Sequence, residues 1–387
     1  MDKELLDLVR ISNTVGSDSS LVQGGGGNTS VKTDDGKYMY IKASGTALKD
    51  MRVEGGWRRM NVAAVLDILR DKTLAKMDIG SRELEMVKRL SAACEDDVCG
   101  NVRPSVECPM HVVLSKCVIH LHAMAVQAYT SAKKGKAEVF RLFEDENFPP
   151  LWIPYANPGF DLGHKVFGLV NGYVRKHGRK PGILIMEKHG LLVNSQSTEG
   201  ALELVSQVIG RCKAGLDQSE TVLGEAVSKE QIEEYKQNIT RALYEISGKE
   251  INVSFCTNPS IEQFLASKHA GQMLRCGALT PDELAFVDGA ILWLRHGEYE
   301  DVAEKIRVAL SKEQGVPKVF LVKDAGLFIA GETALVPVIR DIVIGSLYIR
   351  RNADKMGGVN ALSRRERDFI KNWEAEQFRV QLAAGEG

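Results

Sequence analysis

Residues 29–42 constrain this chain most. Two alternating segments, 29–33 and 37–42, flank Asp34-Asp35-Gly36, and a turn of this composition between alternating runs folds as a β-hairpin. A sheet therefore begins near the N-terminus. Ahead of it, residues 4–14 place Leu5, Leu8 and Val9 at helical spacing, with Gly16 as a stop signal. Downstream, the patterning predicts helices over 63–69, 82–93 and 107–116, and a β-branched strand over 117–122. It then predicts a helix from Ala123, a helix over 160–174, and buried strands over 182–186 and 191–193 around a turn at His189-Gly190. A helix over 199–216 closes the series.

At 387 residues the chain exceeds what one core usually fills. The polar stretch 217–230 is the expected boundary between a domain at 1–225 and a smaller α/β region at 226–387, with helices over 231–246, 302–310 and 335–349 and strands over 290–294 and 319–322. Lys and Arg total 50 against 51 Asp and Glu. That balance excludes bulk attraction to nucleic acid or to an anionic membrane. Met1-Asp2-Lys3-Glu4 is charged and no apolar leader follows it, so a soluble cytoplasmic protein is expected. The 7 cysteines never show Cys-x-x-Cys spacing. Cys94, Cys117, Cys212, Cys256 and Cys276 read as reduced thiols, Cys94 and Cys99 are the nearest pair, and Cys108 stays open.

His120 and His122 stand one residue apart in an expected strand, so the period of two puts both imidazoles on one face. The ordinary reading of such a pair is two hydrogen-bonded histidines at a strand end. His189 follows a second buried strand, and Gly190 after it permits a tight turn and a close backbone approach. Three imidazoles would leave a tetrahedral zinc one open position, as catalytic sites do. Taken singly, His189 reads as a turn residue and Glu107 as a helix-start carboxylate.

Gly24-Gly25-Gly26-Gly27-Asn28 comes after a helix and before a strand. That order is the reverse of a dinucleotide fingerprint or P-loop. It leaves either a flexible turn or a loop that offers backbone N–H groups to an anion, with Asn28 as a side-chain donor. Ser44 and Gly45 end the second early strand, and Ser105 precedes Glu107. Each serine alone is an ordinary cap or turn residue.

Taken in order, Gly26-Gly27-Asn28-Thr29-Ser30, Ser44-Gly45, Pro104-Ser105-Val106-Glu107, His120-Leu121-His122 and Glu187-Lys188-His189-Gly190-Leu191 resemble the class II aldolase/adducin family. Gly16-Ser17-Asp18, Trp152-Ile153-Pro154-Tyr155 and Pro158-Gly159 bring the likeness closest to the aldolase part of bifunctional rhamnulose-phosphate aldolase/alcohol dehydrogenases. Pro317-Lys318-Val319 and Gly326-Leu327-Phe328 extend it into the C-terminal region.

The resemblance implies an αβα sandwich around a largely antiparallel central sheet, commonly a tetramer. It implies Zn2+ held by His120, His122 and His189, with Glu107 as catalytic acid/base, and Asn28, Ser44, Gly45 and Ser105 around a phosphate. The implied reaction splits a ketose or ketose 1-phosphate, such as rhamnulose 1-phosphate, into a dihydroxyacetone (phosphate) fragment and a short aldehyde. Tyr155 is a candidate proton carrier on the aldehyde side. Apolar neighbours at Val106 and Cys108 lead to the expectation that the Glu107 carboxyl is raised toward neutrality.

Two departures stand out: Val106 replaces a frequent phosphate-binding serine, and no dehydrogenase domain is expected before Gly387, so an aldehyde product would be released or passed to a separate enzyme. An epimerase or dehydratase of a sugar phosphate, and a non-catalytic adducin-like interaction module, are the alternatives. Residues 226–387 suggest packing or subunit contacts only.

Overall fold

The structure is a computed structural model that describes residues 2–96, 102–216, 227–287, 290–312 and 315–384. Cys99 and most of the expected boundary at 217–230 lie outside the described residues. The first unit is built on a seven-stranded sheet of order β3-β2-β1-β4-β7-β6-β5. Its strands are β1 (Asn28–Lys32), β2 (Tyr38–Lys42), β3 (Trp57–Asn61), β4 (Cys117–Leu121), β5 (Leu151–Ile153), β6 (Ile183–Met186) and β7 (Gly190–Ser195). Every pairing is antiparallel except β5 with β6. The hairpin turn forms as expected, with Gly36 supplying the left-handed residue at φ 69°.

The period of two sorts the side chains into two cores. Val31, Tyr40, Cys117, Ile119, Leu121, Ile185, Leu191 and Val193 pack under the helices Lys3–Gly16, Met124–Thr130 and Thr198–Ala214. Met39, Ile41, Val118, Leu184, Met186 and Leu192 pack under Val62–Arg70, Ile79–Ala92, Cys108–Val112 and Phe160–His177. This is the αβα sandwich with a largely antiparallel sheet. In the opening helix Leu8 and Ile11 are fully buried, each worth about 1.5–3 kcal/mol. Gly16 is the last residue of that helix, as expected, and it also serves a close backbone approach: a Cβ there would fall 2.3 Å from the Lys49 amide nitrogen.

A second sheet, of order β8-β11-β10-β9, follows. It comprises β8 (Val253–Cys256), β9 (Ile291–Leu294), β10 (Val319–Val322) and β11 (Gly326–Ala330). Val319, Leu321, Leu327 and Ile329 face the helices Pro259–Leu265, Pro281–Val287 and Val336–Lys355. Phe320, Val322 and Phe328 face Lys229–Ser247 and Tyr299–Ser311. The two units abut: Gly345 of Val336–Lys355 is so close to Met124 that a Cβ would sit 3.2 Å from its Cε, and Lys188 pairs with Glu366 at 2.9 Å. Among the described residues, no helix is long and apolar enough to cross a membrane.

Candidate functional site

The register of the central strands sets the site. β1 and β4 align Asn28 with His120, and β4 and β7 align Leu121 with Leu191. His122 follows β4 by one residue. His189 closes the turn before β7, its N–H bonded to the Met186 carbonyl at 3.1 Å. The left-handed residue of this turn is Lys188, at φ 55°, and not Gly190. Gly190 serves the close approach instead, because a Cβ there would lie 2.3 Å from the Leu121 carbonyl oxygen.

The three imidazoles meet on one side of the sheet. His120 Nε2 lies 3.2 Å from His189 Nε2 and 3.2 Å from His122 Nε2. Glu107, just ahead of the helix Cys108–Val112, places Oε1 2.9 Å from His189 Nε2 and Oε2 3.4 Å from His120 Nε2. His120 Nδ1 donates to the Leu191 carbonyl at 2.9 Å, and His122 Nδ1 donates to the carboxylate of Asp282. Those acceptors put the protons on Nδ1 and leave both Nε2 lone pairs facing each other. Converging lone pairs in a buried site repel unless a cation lies among them. One donor atom from each of the three histidines lies within 4.8 Å of the others, which suits a divalent metal.

Burial pushes the Glu107 carboxyl up, but His120 and His189 outweigh it and hold it well below the ordinary value. This reverses the sequence expectation, which weighed Val106 and Cys108 and not the imidazoles. Asn28 Nδ2 donates to Glu107 Oε2 at 2.5 Å and to Ser105 Oγ at 3.3 Å, while Asn28 Oδ1 is buried without a partner. Cys108 faces the core, and burial pushes its thiol up. His111 bonds Ser30 Oγ at 2.8 Å and stays apart from the cluster.

A cleft of about 550 Å³, counted to its open mouth, runs from the imidazoles past Asn28, Ser44, Gly45 and Ser105, so all four residues expected around a phosphate line one space. Lys42 shares it; its Nζ donates to the carbonyls of Thr46 at 2.7 Å and Gly25 at 3.2 Å, tying the two anion-loop candidates together. Burial lowers its pKa to about 8. Tyr155 does not line the cleft; it packs with Leu284, Leu362 and Ile370.

The opposite wall is the part sequence reading missed. Pro281, Asp282, Trp373, Ala375, Glu376 and Arg379, all from the C-terminal unit, complete the cleft. This corrects the expectation that residues 226–387 serve packing or subunit contacts only. Arg379 Nη2 donates to Asp282 Oδ1 at 2.6 Å and to Glu376. Burial pushes Asp282 up, but His122 and Arg379 outweigh it and keep the carboxylate ionised. No local motif marks these residues. Trp373-Glu374 is their one conspicuous dipeptide, and Glu374 pairs with Arg103 at 2.7 Å.

The uncharacterized oxidoreductase YuxG of Bacillus subtilis (strain 168) is 25% identical over 429 residues, covering 100% of this chain and 59% of the relative. The chain thus spans less than two thirds of that protein's length. The N-terminal class II aldolase domain of a conserved protein from Thermoplasma acidophilum aligns with 55% of this chain and 94% of its own at 25% identity, TM-score 0.45. An L-fuculose-1-phosphate aldolase from Thermus thermophilus aligns with 55% of this chain and 93% of its own at 14% identity, TM-score 0.33. The model of the family described as Class II Aldolase and Adducin N-terminal domain matches residues 7–216, more than half of the chain, and the chain belongs to that family.

Proposed function

We propose that this protein is a zinc-dependent aldolase that reversibly splits a ketose, or a ketose 1-phosphate of the rhamnulose type, into a dihydroxyacetone-type fragment and a short aldehyde. The observation that carries the reading is the convergence of three imidazole Nε2 atoms with Glu107 at one end of a cleft that Asn28, Ser44, Gly45 and Ser105 also line. His120, His122 and His189 would hold a divalent zinc ion, a Lewis acid for the negative charge that builds on the ketone fragment as the C–C bond opens.

The chain's own groups do the rest. As the bond breaks, the hydroxyl on the aldehyde side gives up its proton to water and becomes the carbonyl, the bonding pair stays on the ketone fragment, and Glu107 carries a proton to that carbon, or takes one from it in the condensing direction. Asn28 Nδ2 fixes the carboxylate for this transfer. Ser44 and Ser105 hydroxyls, with backbone N–H groups around Gly25, Gly27 and Gly45, offer donors to a phosphoryl group. The same proposal divides the chain at residues 225 and 226, the first part holding metal and phosphate and the second supplying a wall. It also makes the protein a cytoplasmic homo-oligomer.

Zinc quantification on purified protein, coupled to a product screen over ketoses with and without a 1-phosphate, tests this. The expected result is one zinc per chain and two cleavage fragments. An epimer or a dehydrated sugar as product transfers the site to an epimerase or dehydratase. Protein without zinc and without turnover leaves the adducin-like interaction module. Glu107→Gln is expected to retain zinc and lose about 10²–10⁴-fold in turnover, and an unimpaired variant removes Glu107 from the mechanism.

A further inference from the structure

We propose that Asp282 is a positioning residue of the metal site, so that the C-terminal unit is required for tight metal binding by histidines that all belong to the first unit. The inference rests on the metal-site reading above and goes beyond it by assigning a role to the second unit. An imidazole can ligate through Nε2 only while Nδ1 carries the proton, and the acceptor at Nδ1 fixes both tautomer and ring orientation. His120 finds that acceptor in its own sheet, the Leu191 carbonyl. His122 finds it 160 residues away, in the carboxylate of Asp282. Both side chains are buried, 6% and 5% exposed, so water does not substitute.

The bond is anchored at both ends. Asp282 lies on the helix Pro281–Val287, where the next residue, Glu283, accepts from Arg350 Nη2 at 2.6 Å and from the Leu279 N–H at 2.8 Å. Arg350 also donates to the carbonyls of Met273 at 2.8 Å and Gly277 at 2.7 Å. Its helix, Val336–Lys355, packs through Gly345 against Met124, two residues after His122. The free oxygen of Asp282 is taken by Arg379. Gly26 leaves room for the pair, because a Cβ there would fall 2.9 Å from His122 Nδ1 and 3.3 Å from Asp282 Oδ2. One packed path thus joins Met124, two residues after the ligand, to the carboxylate that orients it.

The competing reading is a buried ion pair that merely fastens the two units. Metal-free full-length protein is titrated with Zn2+ in competition with a chromogenic chelator, for wild type, Asp282→Asn, Asp282→Ala and Leu284→Ala. Thermal unfolding of each metal-free protein is recorded alongside. Asp282→Ala is expected to bind zinc about 10–100-fold more weakly. Asp282→Asn, which is isosteric and still accepts a hydrogen bond, is expected to fall between. Leu284→Ala loosens the same helix without touching His122, and is expected to lower the melting temperature while leaving zinc affinity unchanged. Unaltered affinity in both Asp282 variants, or an equal loss in Leu284→Ala, overturns the inference. Wild-type protein that binds no zinc overturns the metal-site reading itself, together with what rests on it.

Discussion

Replacing Gly190 by alanine tests how tightly the fold and the histidine cluster are coupled. The added Cβ would sit 2.3 Å from the Leu121 carbonyl oxygen, 3.3 Å from its carbonyl carbon and 3.4 Å from the His122 Cα. The first distance is roughly 1 Å short of ordinary van der Waals contact, and the atom met is backbone, which cannot rotate away. Relief requires β4 and β7 to part where Leu121 faces Leu191, within a ladder whose spacing is about 4.8 Å. Overpacking costs about 1–3 kcal/mol, and loosening one buried hydrogen bond, that of His120 Nδ1 to the Leu191 carbonyl, adds about 1 kcal/mol. The expected destabilisation is therefore about 2–4 kcal/mol in urea unfolding of the metal-free protein. Because Gly190 adjoins His189 in sequence and His122 in space, the Nε2 atoms now 3.2 Å apart should separate, and zinc affinity should fall with stability. A variant within about 0.5 kcal/mol of wild type and with unchanged zinc affinity would refute the claim that this contact sets the site.

Arg350→Met leaves Glu283 buried and charged without its partner, since the pair is 1% and 3% exposed. The expected loss is about 3–5 kcal/mol in urea unfolding, and Glu283→Leu added to it should recover most of that loss; no recovery would refute the ion-pair argument. Glu83, on the helix Ile79–Ala92, accepts the N–H of Phe160, the first residue of the helix Phe160–His177, at 3.3 Å, and burial raises its carboxyl from 4.5 to about 7. The folded pKa lies above the unfolded one, so this contribution to stability is complete below pH 4.5 and disappears as pH rises through 7. Relative to Glu83→Gln, wild type is expected to lose up to about 3 kcal/mol between pH 4.5 and 8. Parallel stability profiles for the two proteins would refute it.

What could be read from the sequence, and what could not, follows from where each residue's partners lie. His120 and His122 were legible because alternation is a local property: the strand that buries Val118 on one core and Ile119 on the other also fixes the side on which both imidazoles stand. The hairpin at Gly36 was legible for the same reason. The edge strands β3 and β5 were not. Trp57-Arg58-Arg59-Met60-Asn61 has one neighbour and buries only Met60 fully, so no apolar period of two is imposed on it. Gly16 was legible as the end of its helix, but the second demand for its missing Cβ was not, because it comes from Lys49 in the 3-10 turn Leu48–Asp50, beyond the hairpin.

Asp282 is the limiting case of the same rule. Its helix spans seven residues, its hydrogen-bond partner is in another unit, and the arginine on its second oxygen lies 97 positions further on. Nothing in the local spacing of Pro281-Asp282-Glu283 separates a carboxylate that orients an imidazole from one that merely starts a helix. The information sits instead in the fit between units, and Gly26 is its trace on the other side: a glycine the sequence offers as one of four in a flexible run, yet the one whose Cβ would meet both members of the His122 and Asp282 pair. The tightest of those contacts, 2.9 Å to His122 Nδ1 and 3.1 Å to the Gln23 carbonyl, lie within the first unit, and Asp282 Oδ2 at 3.3 Å adds the second unit to the same constraint.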